Sequence, residues 1–248
     1  MPLAQAQDDL YGRWNTEMQY FQWREYQDSG APFLEESGFR LAMGFDEQNF
    51  TRRVLPGLVY RGSVKGFIGR VGYHGGTNGG TSASTSVNYA GGKLDGFLGN
   101  RYGYIDGRYG LDAGVGGSLD GWFRQLLDTT DSAGNPAQGY YEIYVVASAK
   151  AGIGLSFRNG DQRGYAQVGV KMPVVTRERV SLNGADLTPG RRPSLYARFE
   201  LTNVFPAVRN GISLAASLET FRFAASNTVS GVQQPKSSMD VVSLSLAF

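Results

Sequence analysis

Between residues 140 and 157 the chain alternates between two kinds of side chain. Tyr141, Ile143, Val145, Ala147, Ala149, Ala151, Ile153, Leu155 and Phe157 are all apolar, with an aromatic ring at each end. The positions between them, Tyr140, Glu142, Tyr144, Val146, Ser148, Lys150, Gly152, Gly154 and Ser156, are mostly polar or tiny. A period of two is the mark of a strand, whose successive side chains point to opposite faces. On a helix, Lys150 and the branched apolar residues would be spread around the surface with no such separation. The stretch is also long, since about 9 to 11 residues of tilted strand already cross a bilayer. An apolar face with aromatics at both ends suits the lipid-facing wall of a transmembrane barrel. A long strand of a soluble sandwich is the alternative, and one strand cannot separate the two.

The rest of the chain repeats the rhythm. Alternation predicts ten strands, over 17–26 (with no clear phase), 38–45, 58–73, 93–104, 108–124, 140–157, 165–174, 194–204, 212–223 and 240–248. An even number is what single-chain bacterial membrane barrels use. The connections sort by length. "DEQN", "IDG", "RNGDQRG" and "PAVRNG" are short, whereas "HGGTNGGTSASTSVNYAGG", "DTTDSAGNPAQG" and "VSLNGADLTPGRRP" are long and rich in small polar residues. Membrane barrels have short periplasmic turns and longer extracellular loops, and a soluble sandwich has no reason to sort them so. The expectation is an all-β, ten-stranded antiparallel transmembrane barrel with both termini periplasmic. Within "GWFRQLLD" the reading is a strand end, with Trp122 in the lumen and Phe123 in an aromatic girdle.

If the apolar faces meet lipid, the opposite faces line the lumen. The bases there are Arg40, Arg61, Lys65, Arg101, Arg124, Lys150, Lys171 and Arg198; the acids are Asp95, Asp112, Asp120, Glu142, Glu200 and Glu219. A lumen of ten strands is only slightly wider than one that side chains fill, so opposite charges facing across it would pair. Hairpin register puts Lys150 beside Lys171 and Lys171 near Arg198, a basic cluster that needs Asp112, Glu200 or Asp95 to reach into it. Two readings follow. Paired charges and packing occlude the lumen, or a narrow, gated polar channel uses a basic ring to select small anions.

Composition agrees with strands and turns, with 35 Gly, 14 Tyr and 14 Phe among 248 residues and 19% charged residues. The net charge of +2 gives no reason to expect a nucleic acid partner. No cysteine is present, and His74 is the single histidine, so thiolate and multi-histidine metal sites are excluded and no cofactor is expected. No run of about 20 apolar residues suggests a membrane helix. Ala4-Gln5-Ala6 has the small-x-small form of a signal-peptidase site. Residues 1–10 are read as a leader, either a signal remnant or a chance Ala-rich start, and 11–248 as one barrel domain.

The C-terminal "VVSLSLAF", with Val242, Leu244, Leu246 and the final Phe248 alternating, resembles the terminal strand of Gram-negative outer-membrane proteins. "QWREYQDSG", "FLEESGFRLAMGF" and "QQPKSSMDVVSLSLAF" resemble segments of uncharacterised proteobacterial outer-membrane proteins. That resemblance implies recognition by the barrel-assembly machinery; the other partners expected of a membrane barrel are outer-membrane lipids and lipopolysaccharide, with an envelope protein as a candidate. The resemblance brings no assigned activity. Outer-membrane proteases use Asp with His at the outer rim, and barrel phospholipases use Ser with His. Here only His74 could serve, beside "GGTNGG", with Asp128 and Asp131 in the next outer loop. No helix pattern follows those glycines, so they form no phosphate loop. A structural, surface-interaction or anchoring barrel is therefore the first reading, a small-solute channel the second and a rim hydrolase the third.

Overall fold

The alternating segments form strands, and each strand pairs with the next segment of the chain. The computed structural model describes residues 10–49, 57–76, 81–105, 109–159, 162–204 and 211–248. Among these residues ten long strands follow one another: β1 (Leu10–Tyr26), β2 (Pro32–Asn49), β3 (Leu58–Gly76), β4 (Ser82–Ile105), β5 (Tyr109–Leu126), β6 (Tyr141–Asn159), β7 (Gln162–Val180), β8 (Ser194–Thr202), β9 (Ser213–Ala224) and β10 (Lys236–Ala247). All neighbours are antiparallel. β10 pairs with β1 as well as with β9, Tyr20 standing opposite Val242, so the sheet closes into a ten-stranded barrel. Closure leaves no row of unpaired N–H and C=O groups, which hydrocarbon could not satisfy. We call the end holding the start of β1 and the finish of β10 proximal, and the other end distal.

The strands are longer than the alternation alone suggested. β3 continues to Gly76 and β4 begins at Ser82, with Val71 opposite Val87 and Tyr73 opposite Thr85. Most of the Gly/Ser/Thr-rich segment read as a long loop is thus hairpin. "DEQN" is not a turn but the end of β2, where Asp46 stands opposite Ser63. The segment 181–193 carries two short strands, Ala185–Leu187 against β7 and Gly190–Arg191 against β9. Between β5 and β6, Thr129–Thr130 and Pro136–Ala137 form a small hairpin. The leader, apart from Leu10, and most of the turns "IDG" and "PAVRNG" lie outside the described residues.

Polarity divides the barrel into two zones. The exterior of the proximal and middle part is apolar: Met18, Leu41, Met43, Ile68, Leu98, Val115, Ile153, Val170 and Leu244 are all exposed. Aromatic pairs edge this belt, Trp14 with Phe45 on one side and Tyr20 with Phe39 and Phe123 with Tyr141 on the other. Beyond it the outward positions become polar, as at Gln22, Arg24, Arg70, His74, Asn88, Arg177, Arg179 and Arg222. β1 to β7, from 17 residues (β1) to 24 (β4), exceed the roughly 9 to 11 that span a bilayer, so their distal parts project past the hydrocarbon.

β1 has a defined phase after all. Glu17, Gln19, Phe21, Trp23 and Glu25 point inward, and Met18 and Tyr20 outward. In β7 the phase flips. Pro173 stands opposite Ser148 while Val175 stands opposite Ala147, so Val174 is an extra residue. Proline cannot donate to the ladder, and a bulge is where a strand tolerates it. After the bulge Thr176 and Glu178 face inward, and Arg177 and Arg179 outward.

Candidate functional site: the barrel lumen

All fourteen charged residues expected in the lumen face inward. Most of them meet as pairs, while Arg40 bonds Gln19 and Arg61 bonds Gln167. Lys150 Nζ lies 2.6 and 2.9 Å from the Asp95 carboxylate. Lys65 bonds Glu17, and Glu219 accepts from both Lys93 and Lys171, the latter at 2.6 Å. Arg101 grips Asp112 with two bonds of 2.7 and 2.8 Å, and Arg198 reaches Asp46 (2.9 Å) and Glu200 (3.0 Å). Asp120 stands 3.8 Å from Lys93 and accepts from Ser118. Such pairing offsets the desolvation that any of these ions would suffer alone. Aromatic faces add to it: Lys150 Nζ lies 4.3 Å from the Tyr196 ring centre and Lys171 Nζ 3.2 Å from that of Phe221. Tyr196 and Tyr165 lie against β6 at Gly152 and Gly154, whose missing Cβ atoms make the room. A cavity of about 110 Å³ remains among these groups.

The register expectation held at one point and failed at another. Lys150 does stand opposite Lys171, but Lys171 faces Ser194, and Arg198 stands four residues on, opposite Gln167. The two lysines are served separately, Lys150 by Asp95 and Lys171 by Glu219. Asp112 and Glu200 go to arginines instead.

Distal to the ion pairs the lumen is filled with rings. Trp122 stacks on Tyr144 at 4.9 Å, Trp23 packs against both, and Phe21, Tyr89, Phe221, Phe223, Val71, Val87, Met239 and Val241 are among the residues that join the cluster. Above it Arg124 bonds Glu36 and Glu142, Tyr89 donates to Glu36, and Tyr144 donates to Glu142. Gln234, from the β9–β10 connection, reaches down to Glu25 at 3.1 Å. Val180, Ala185 and Leu187 pack with Val229 and Val232, so the β7–β8 and β9–β10 connections meet at the distal end.

Sequence reasoning missed Glu17, Asp46 and Lys93 in the belt and Glu25, Glu36 and Glu178 above it. Parity could have found Lys93, which shares its face with Asp95. Glu17 and Glu25 lay in the strand of uncertain phase, Asp46 in a supposed turn, and Glu178 past the bulge. Trp122 faces the lumen as expected, and Phe123 lies against Tyr141 outside.

At the rim, His74 Nδ1 is 2.9 Å from Ser84 Oγ. No carboxylate contacts His74 among the described residues. Asp128 accepts from the Gly139 N–H, and Asp131 from Thr81, Ala133 and Asn135. The hydrogen bonds from Thr81 first, then Asn135 and Ala133, hold the Asp131 carboxyl down at about 2. Val242, Leu244, Leu246 and Phe248, the residues expected to form an assembly signal, all point outward and are exposed.

No protein-family model matches the sequence, and no curated protein matches it. Solved structures do. The outer-membrane protease OmpT of Escherichia coli aligns at TM-score 0.51 and 11% identity, over 98% of this chain and 97% of that one. The transport unit of the autotransporter AIDA-I from Escherichia coli gives TM-score 0.46 and 9% identity, over 100% and 92%. The translocator domain of the autotransporter NalP from Neisseria meningitidis gives 0.39 and 9%, over 96% and 88%. The fold is that of Gram-negative outer-membrane β-barrels, and at such identities the likeness extends to the fold alone.

Proposed function

We propose that this protein is a closed outer-membrane barrel that serves as a surface-presenting or complex-anchoring element and does not conduct. The observation that carries this reading is the aromatic cluster around Trp23, Trp122 and Tyr144, with the β7–β8 and β9–β10 connections meeting at the same end. The apolar exterior belt with its aromatic edges supports a place in the bilayer. The projecting distal strands support an orientation with that end outside the cell and both termini periplasmic. Outer-membrane lipids and lipopolysaccharide would surround the belt, and the outward Val242, Leu244, Leu246 and Phe248 would serve the assembly machinery. Planar-bilayer recording of the refolded protein should show no steady conductance; sustained openings would instead support the narrow-channel reading. A rim hydrolase would rest on His74 and Ser84, with no carboxylate oxygen within 4.0 Å of His74 among the described residues, and forms no part of the proposal.

A further inference from the structure

Four acids are buried together with one base in the distal part of the lumen. Glu25, Glu36, Glu142 and Glu178 come from β1, β2, β6 and β7, and none is more than 5% exposed. Hydrogen bonds tie most of the group into one chain. Arg124 bonds both Glu36 and Glu142. The Tyr144 hydroxyl lies 3.0 Å from Glu142 and 3.3 Å from Gln234, and Gln234 reaches Glu25 at 3.1 Å. Trp23 Nε1 also donates to Glu25, at 3.0 Å.

Glu178 is the exception. It stands opposite Tyr144 on the inner face, which makes Glu142 its diagonal neighbour. Both of its carboxylate oxygens are buried, and neither has a hydrogen-bond partner. Glu142 and Glu25 bear on it as like charges, and Arg124 is the base that opposes them. The other titratable groups facing the cluster are tyrosines: Tyr73 from β3, Tyr89 from β4 and Tyr140 just ahead of β6. Full ionisation would set four negative charges against one positive in a buried place. A carboxyl group can escape that cost by holding a proton, and Glu178, with no donor on either oxygen, is the member that gains most by doing so.

What rests on Glu178 gives its proton a consequence. Leu187, in the β7–β8 connection, pairs directly with Glu178. Leu187 and Ala185 pack with Val229 and Val232 of the β9–β10 connection, which is tied through Gln234 to Glu25. Both connections are therefore seated on the acid cluster.

We propose that the Glu178 proton is a latch: while it is bound, both distal connections stay seated, and its loss to solvent at alkaline pH releases them. The seated form binds the extra proton, so the latch is closed at neutral pH and weakens as pH rises. The connections yield before the barrel does, because the β6–β7 ladder continues beneath them. The latch goes beyond the closed-barrel role and does not depend on whether the aromatic cluster below it blocks ions.

The test uses the full chain refolded in detergent. The amides of Ala185 and Gln234, bonded to Asn183 Oδ1 and Ser226 Oγ, report on the two connections. In pulsed amide exchange, their protection factors should fall at least about tenfold between roughly pH 6 and pH 10, while Met18 in the belt stays protected. Glu178→Gln keeps the shape and cannot ionise, so its protection should not change over the same range. Native protection that is independent of pH, or a fall in Glu178→Gln equal to the native one, overturns the proposal. Infrared spectroscopy gives a check on the native protein alone. At neutral pH it should show the carbonyl band of a protonated, buried carboxyl group, fading as pH rises; absence of that band at neutral pH also overturns the latch.

Discussion

The belt and the distal projection bury opposite kinds of side chain. At the level of Lys150 the barrel is charged inside and apolar outside: Lys150 stands opposite Gly116, whose neighbour Val115 faces out. At the level of Trp23 it is aromatic inside and polar outside, with Gln22 and Arg24 on the outer face of the same strand. The two zones overlap on β5 and β6, where Trp122 and Tyr144 have Phe123 and Ile143 beside them. The difference shows how the surrounding solvent decides which face must be apolar. Hydrocarbon outside the belt accepts apolar side chains freely and leaves the polar residues to pair among themselves within. Water around the projection allows polar residues outside, so the lumen there can have the kind of core a soluble barrel has.

Breaking the aromatic core should have the largest effect. Trp23→Ala should cost about 3–5 kcal/mol, read as a shift in the denaturant midpoint of the folded barrel. If the cluster also seals the lumen, the same variant should conduct where the native protein does not. Next comes polarity inversion in the belt. Val115→Arg, midway between the outward Tyr109 and Phe123, should cost about 2–4 kcal/mol in vesicles. That result would contrast directly with Lys150 tolerated on the other side of the same wall.

A smaller effect is expected where the exterior is already polar. Arg222 and Asp240 form a partly exposed pair at 2.7 Å, so Arg222→Ala should cost at most about 1 kcal/mol, with the difference fading at high salt. A loss as large as that for Val115→Arg would show that the projection is not simply solvated. The smallest effect concerns the connection held by Asp131. Its carboxyl sits at about 2, below the usual carboxylate range. Its contribution is therefore present above the unfolded-state value and lost as pH falls through about 2. Amide exchange at Ala133 and Asn135 should stay slow to near pH 2 and quicken below it; quickening near pH 4 would remove Asp131 as the pin.

Much of the belt was legible in the chain because lipid imposes a strict rule on it. Every outward residue there must be apolar, so a period of two shows through, and inward charges such as Asp95 and Lys150 stand out by parity. Outside the bilayer that rule lapses. Ser82 to Ala90 carries small polar residues on both faces and read as loop, although β4 runs through it. The single extra residue after Pro173 inverted the parity and hid Glu178.

Strand number, antiparallel order and the lipid face therefore belong to the sequence, because each follows from side-chain alternation between neighbouring segments. The partner of each lumen charge was a matter for the tertiary structure. Lys171 meets Glu219 and Arg61 meets Gln167 across the barrel, far apart in sequence. Which residues face each other across a closed lumen depends on the shear accumulated over all ten strands, and no local pattern records that sum.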